Sequence, residues 1–128
     1  MNPSVPVSWG ELFDKITILE IKSARLTSET ARSNVRRELE QLSRAAAAVE
    51  AENPKLAELK ASLKQVNEAL WAIEDDIRAK EAVQNFDAEF VALARAVYHK
   101  NDERGRIKGA INALLNSDIT EEKQYTKY

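Results

Sequence analysis

The stretch KLAELKASLKQVNEALWAIEDDIRAKE, from Lys55 to Glu81, decides the fold predicted for this chain. Apolar side chains recur in it at alternating steps of three and four residues, a spacing typical of a helix that buries one apolar seam. The seam consists of Leu56, Leu59, Leu63, Val66, Leu70, Ile73 and Ile77. A second stripe with the same alternation lies one position away and combines polar groups with a large aromatic ring. Its members are Asn67, Trp71, Glu74, Arg78 and Glu81.

A further helix is predicted on each side of this stretch. The preceding helix ends at Asn53, because the residue before a proline is pushed out of the α region. Its apolar stripe is narrow and consists of Val35, Leu39, Leu42, Ala46 and Val49. The following helix is predicted to be capped by Asn85 or Asp87. Because a glycine costs about 1 kcal/mol relative to alanine in a helix interior, the sequence leaves open whether this helix is continuous through Gly105 and Gly109.

The first helix of the chain is predicted to begin at Ser8 or Trp9. Ser8 and Glu11 have the spacing of a capping box, in which each side chain accepts a hydrogen bond from a backbone N–H of the other residue. Apolar side chains cover more than half of the circumference of this helix. We therefore expect it to pack against two neighbours.

Length and composition support an all-α fold. The 128 residues include only 3 Gly and 3 Pro, and helix-favouring residues are abundant. We predict one helical domain over residues 1–128, with an extended N-terminus over residues 1–7 and a polar tail over residues 117–128. The predicted architecture is an antiparallel bundle of about four helices, two of them long. An extended helical hairpin that dimerises is the alternative.

Composition also limits the classes of function. The chain has no Cys, which excludes a disulfide framework, a thiolate zinc site and a Cys nucleophile. It has 1 His and no Ser in a strained elbow, so we expect neither a catalytic triad nor a histidine metal site. Its 19 Lys and Arg residues are balanced by 21 Asp and Glu residues, so no basic surplus indicates a nucleic-acid groove. No apolar run approaches the ~20 residues that span a bilayer, and the N-terminus lacks the pattern of a signal peptide. We expect a cytoplasmic protein without a cofactor, a bound metal, a nucleic-acid partner or a membrane span.

Trp71, Glu74 and Arg78 form the first candidate binding cluster. They lie on one side of their predicted helix, where a flat apolar wall stands beside a bidentate donor. This combination suits the recognition of a carboxylate, a phosphate or a sugar. The alternative interpretation is a salt-bridged flank worth ~0.5 kcal/mol per pair or less.

Tyr98, Asn101 and Asp102 form a second candidate binding cluster on the last helix. Tyr98 and Asp102 share one line of that helix with Gly105 and Gly109. One interpretation is a polar opening in an otherwise apolar bundle. The other is tight helix packing, with a neighbouring backbone close to the two glycines and a hydrogen bond between Tyr98 and Asp102.

Carboxylates support an alternative hypothesis, a metal-dependent all-α hydrolase of nucleotides or nucleotide sugars. Asp14, Glu20, Glu74 and Asp75 are its candidate ligands, because hard divalent cations bind clustered oxygen atoms. The hypothesis requires these four side chains to converge in space.

Five segments carry a recognisable combination of residues. They are GELFDKITILEIKSARL (10–26), NVRRELEQL (34–42), LKQVNEALWAIEDDIRAKE (63–81), FVALARAVYHKNDERGRIKGAIN (90–112) and EEKQY (121–125). Together they resemble an uncharacterised bacterial family of roughly this length, a domain of unknown function. Its members are similar to proteins encoded near glycosyltransferase and cell-envelope polysaccharide genes, so the resemblance implies a supporting role there. The family-like positions are Asp14, Lys15, Glu20, Trp71, Glu74, Asp75, Arg78, Arg95, Tyr98, Asn101 and Asp102.

The sequence as a whole favours binding over catalysis, because no motif in it dictates a chemistry. We predict an interaction or regulatory module whose exposed stripe engages a protein partner or an anionic small ligand. A homodimer is a further expectation.

Overall fold

The computed structural model describes residues 1–128 and contains four helices. They are α1 (Trp9–Arg25), α2 (Glu29–Glu52), α3 (Leu56–Ala82) and α4 (Ala88–Leu114). Helices make up 74% of the residues and there is no strand, so the predicted all-α class is confirmed. None of the four is both long enough and apolar enough to cross a membrane.

The start of α1 forms only half of the capping box predicted from Ser8 and Glu11. The Ser8 hydroxyl accepts a hydrogen bond from the backbone N–H of Glu11 at 3.1 Å, so the predicted helix cap is present. The reciprocal half of the capping box is absent. The Glu11 carboxylate instead accepts a hydrogen bond from the Lys108 ammonium at 2.9 Å. A charged donor such as Lys108 forms a stronger hydrogen bond than a backbone amide. The Glu11 carboxylate therefore binds Lys108 of α4 and not the backbone N–H of Ser8.

The helix α4 is continuous through both of its glycines. Of the two predicted caps it uses Asp87, whose carboxylate accepts a hydrogen bond from the backbone N–H of Phe90 at 2.9 Å. Its end is followed by Asn116 at φ 53°, the left-handed conformation that often follows a helix.

The centre of the molecule is α1, which contacts α2, α3 and α4. All four helices contribute to one apolar cluster, which consists of Leu12, Phe13, Ile16, Ala46, Leu56, Leu63 and Ile111. The expectation of two neighbours for α1 is wrong, because this helix also buries the polar side chains of Asp14 and Thr17. The pattern of apolar residues cannot reveal a neighbour that packs against a polar side.

The helices α3 and α4 continue past the region covered by α1. The last residue of α1, Arg25, lies with its guanidinium carbon 6.0 Å from the centre of the Trp71 ring. From residue 72 to residue 100, which includes the end of α3 and the first half of α4, no residue is buried. We call residues 72–100 the outer hairpin.

Candidate functional site

A polar cluster lies where α1, α3 and α4 meet. Asn67 of α3 donates hydrogen bonds to the Asp14 carboxylate and to the Thr17 hydroxyl, both at 3.0 Å. The Thr17 hydroxyl in turn donates to the backbone carbonyls of Phe13 and Asp14. The Asp14 carboxylate, the Thr17 hydroxyl and the Asn67 amide nitrogen thus each have a hydrogen-bond partner, as buried polar groups require.

Two cations from α4 complete the polar cluster. Arg104 approaches one oxygen of Asp14 at 3.8 Å, and Lys108 approaches the other at 3.9 Å. The side chains of Asp14 and Lys108 are each only 7% exposed. Lys108 also lies 2.9 Å from a carboxylate oxygen of Glu11 and 2.9 Å from one of Glu121. The cluster therefore joins α1, α3, α4 and the segment that follows α4.

These contacts shift the pKa values of two groups in the cluster. Burial alone would lower the pKa of the Lys108 ammonium, but its hydrogen bonds to Glu121 and Glu11 outweigh burial and raise that pKa. The hydrogen bond from Lys108 lowers the pKa of the Glu121 carboxyl below its ordinary 4.5. Both groups are therefore charged near neutral pH.

The lowered pKa of Glu121 makes the tail contact sensitive to acid. The contact stabilises the folded chain above pH 4.5 and is lost as pH falls through the folded pKa. We expect residues 117–128 to leave α4 at acidic pH, which NMR chemical shifts of their amides would detect. In a Glu121→Gln variant these shifts should resemble the acidic state already at neutral pH. Identical titrations of the variant and the original chain would contradict the prediction.

Close contact between α1 and α4 depends on Gly10. Its backbone N–H donates to the Asn112 side chain at 2.7 Å, and a Cβ atom at this position would lie 2.6 Å from the Lys108 carbonyl oxygen. Of the two interpretations of Gly105 and Gly109, the close approach of a neighbouring backbone is wrong. No atom lies within 4 Å of a Cβ built on Gly109, and Gly105 faces only the Lys123 side chain. These two residues face solvent and the tail, because α4 turns its other side toward α1.

Trp71, Glu74 and Arg78, the first predicted cluster, lie together in a groove of about 370 Å³. We call it the Trp71 groove. Its walls come from three helices, because Lys22 of α1 and Arg104 of α4 also line it. Its apolar lining consists of Ile18, Ile21, Leu70 and Trp71.

The charges in and beside the Trp71 groove are only partly paired. Arg78 lies 3.4 Å from Glu74 on the same helix, in an exposed pair. The Arg25 guanidinium stands 6.0 Å from the centre of the Trp71 ring, within cation–π range. Neither Lys22 nor Arg25 forms an ion pair within 4.0 Å. Two cations therefore stand at the groove without a protein anion.

Tyr98, Asn101 and Asp102, the second predicted cluster, line a different concavity of about 710 Å³ between α4 and the tail. The expected hydrogen bond between Tyr98 and Asp102 does not form. The Tyr98 hydroxyl accepts from Arg95, and Asp102 accepts from the Tyr128 hydroxyl. The six predicted binding residues are thus divided between two sites.

The tail over residues 117–128 is the part of the site that sequence reasoning missed. It returns along α4, where the Tyr128 ring packs 5.0 Å from the Tyr98 ring and 4.9 Å from the His99 ring. Its polar and charged composition carries no apolar period that would predict this docking. The two tyrosines, Tyr125 and Tyr128, were the available signal, because an aromatic ring in a charged tail indicates a packing partner.

The convergence of carboxylates required by the metal hypothesis is not found. Glu20 faces Lys60 and Lys64 at 3.7 and 3.8 Å, whereas Asp14 lies in the polar cluster. Glu74 and Asp75 line the Trp71 groove instead. No group of three or more His, Cys, Asp or Glu side chains is arranged to hold a metal ion.

Comparisons with known proteins identify a family. No curated protein and no solved structure matches the chain. A family model described as "Family of unknown function (DUF6165)" matches residues 3–128. The match covers the polar cluster, the Trp71 groove and the tail, and it confirms the resemblance to a domain of unknown function. The chain therefore belongs to the DUF6165 family of unknown function.

Proposed function

We propose that this protein is a binding module whose Trp71 groove takes a carboxylate or phosphate group attached to a flat or apolar body. The observation that carries the proposal is the pair of unmatched cations, Lys22 and Arg25, beside an aromatic wall. A cation without a protein partner is available to an anion from outside.

The charge around the groove favours an anionic ligand. Four cations stand in or beside it, Lys22, Arg25, Arg78 and Arg104. The nearby carboxylates are Glu74 and Asp75 in the lining and Asp14 next to Arg104. The chain as a whole has a net charge of -2, so the cationic surplus is local to this groove. A local surplus of one sign raises the concentration and the association rate of ligands of the other sign.

The apolar lining favours a ligand with an apolar body beside its anionic group. The Trp71 ring and the side chains of Ile18, Ile21 and Leu70 form an apolar surface next to the cations. Mixed surfaces of this kind, in which a few polar groups orient a ligand, are typical of small-molecule sites. If the ligand is part of a protein, the groups that fit this groove are an acidic or phosphorylated side chain and an apolar residue next to it.

Thermal unfolding with benzoate, phenyl phosphate and inorganic phosphate tests this proposal. A ligand at ~100 times its dissociation constant adds about 2.7 kcal/mol to the folded state. We expect phenyl phosphate and benzoate to raise the melting temperature more than inorganic phosphate, because only the first two carry a ring for Trp71. A flat response to all three probes contradicts the proposal.

Replacing both Trp71 and Arg78 by alanine should abolish binding while the fold survives, because Arg78 is exposed and Trp71 lies at the edge of the core. A charge-assisted hydrogen bond is worth about 1.5–3 kcal/mol, so Arg78→Ala alone should weaken binding roughly tenfold or more. Arg44→Ala is a matched control, because Arg44 also pairs with a glutamate one turn away, Glu40, on the exposed surface of α2. Equal affinities of the Arg78→Ala and Arg44→Ala variants would refute the assignment of the groove.

From the sequence and the resemblance we also infer antiparallel packing of the helices, a single domain, a cytoplasmic location, a bacterial source and a supporting role in cell-envelope polysaccharide synthesis. The metal-dependent hydrolase is not proposed, because no observation of the geometry favours it.

A further inference from the structure

The outer hairpin exposes apolar side chains along its turn and along α4. Val83, Phe86 and Val91 are 72%, 53% and 52% exposed. Phe86 packs edge-to-face on Phe90 with ring centres 5.1 Å apart, so the aromatic pair stands at the tip of the hairpin. An isolated apolar side chain on a surface needs no explanation, but a continuous group of this kind marks an interaction surface.

The helix α4 is apolar on two sides within the outer hairpin. Phe90, Leu93 and Val97 are half-buried, at the spacing of three and four residues that packs one helix on another. Val91, Ala94 and Tyr98 repeat that spacing one position away, and all three are exposed. The first stripe is covered within this chain. The second has the pattern of a helix contact and no helix against it, and only Tyr98 at its end meets the tail, through Tyr128.

The accessible surface of the chain exceeds that of an ordinary monomer. It is 8855 Å², whereas a folded chain of this mass has about 6,800 Å² by the usual scaling of surface with mass. The excess of roughly 2,000 Å² is larger than the ~800 Å² that each partner contributes to a standard interface. The projecting hairpin, which buries no residue, accounts for part of this excess.

We propose that the outer hairpin docks on the outer hairpin of a second copy of this chain, so that two pairs of helices form a four-helix contact. Charge complementarity favours a second copy. The α3 half carries four acidic residues against two basic ones, and the α4 half from Ala88 to Lys100 carries one acidic against two basic residues. In a two-fold contact the same patch serves both copies, so the acidic half of one hairpin faces the basic half of the other.

Sedimentation velocity of the full chain, from low to several hundred micromolar, tests this proposal. We expect a concentration-dependent species of twice the mass of the single chain. Val91→Asp and Phe86→Asp should each weaken the dimer at least tenfold, because they place a charge within the apolar contact. Ile119→Asp is the control, since Ile119 is 45% exposed in the tail and outside the outer hairpin. Circular dichroism verifies that each variant remains helical.

Cross-linking provides a second measurement, because the chain has no cysteine of its own. Val91→Cys mixed with Ala79→Cys, an exposed position of the α3 half, should form a disulfide-linked dimer faster than Val91→Cys mixed with Ile119→Cys, since the α4 half of one copy faces the α3 half of the other. A wild-type chain that stays monomeric at every concentration overturns the proposal and indicates a different protein as the occupant. A dimer that Val91→Asp and Phe86→Asp leave intact, or that the Val91→Cys and Ala79→Cys mixture captures no faster than the mixture with Ile119→Cys, also overturns it. Val91 and Phe86 do not line the Trp71 groove, so substitutions at these two positions leave the groove's own residues unchanged.

Discussion

Lys108→Met will lower the free energy of unfolding by about 3 kcal/mol. Methionine is close to lysine in length and fills the same space, so the change removes the charge without opening a cavity. It leaves the buried carboxylate of Asp14 with Asn67 at 3.0 Å and one cation, Arg104, at 3.8 Å, and it removes a partner from Glu11 and Glu121. Removing one member of a buried ion pair typically costs 3–5 kcal/mol, because the remaining charge stays desolvated. Urea or guanidinium denaturation measures the loss.

A second substitution in the same cluster tests this explanation. Asp14→Asn keeps an oxygen that can accept the hydrogen bond from Asn67 but removes the buried negative charge. The double variant should therefore recover part of the stability lost in Lys108→Met. Lys100→Met is the surface control, because Lys100 pairs with Glu103 in an exposed position and such pairs contribute at most about 1 kcal/mol. If Lys108→Met costs no more than Lys100→Met, the cluster does not stabilise the fold as described.

Gly10→Ala will destabilise the chain by about 2 kcal/mol, although alanine is the better helix former. In a helix interior this exchange normally gains about 1 kcal/mol, and Gly10, the second residue of α1, gains at most that. Here the new methyl group would lie 2.6 Å from the Lys108 carbonyl oxygen, and backbone cannot move aside as a flexible side chain can. Overpacking of this kind costs typically 1–3 kcal/mol, and separation of α1 from α4 also lengthens the 2.7 Å hydrogen bond between Gly10 and Asn112. The clash therefore outweighs the gain in propensity.

Gly109→Ala provides the comparison for Gly10→Ala. No atom lies within 4 Å of a Cβ built at Gly109, so only the helix propensity changes. We expect this substitution to stabilise the chain by about 0.5–1 kcal/mol in the same denaturation experiment. Opposite signs for the two glycines support the packing seen here, and a destabilised Gly109→Ala variant would contradict it.

Sequence reasoning was accurate for elements whose signals are local. The seam from Leu56 to Ile77 lies on a helix, Ser8 caps α1 and Asp87 caps α4. Each of these signals comes from residues within a few positions of one another, where the geometry of one helix relates them. The Trp71 groove was partly predictable for the same reason, because Trp71, Glu74 and Arg78 share one side of α3.

The contributions of α1 and the tail to these sites were not predictable in this way. Glu11 pairs with Lys108 across 97 positions, and Gly10 meets Asn112 across 102. The tail contacts Asp102 through Tyr128, and no periodic pattern in the tail sequence predicts this contact. Contacts of this range depend on how helices are placed against each other.

Helical period, caps and breaks in this chain are thus set by neighbouring residues, because backbone hydrogen bonds and apolar spacing act over one or two turns. The tertiary structure alone decided which glycine permits a close contact and which carboxylates Lys108 binds. It also decided that the six candidate residues line two concavities rather than one. The desolvation of a charged side chain and its steric clashes depend on every helix that packs around it. These neighbours are in place only once the helices have packed.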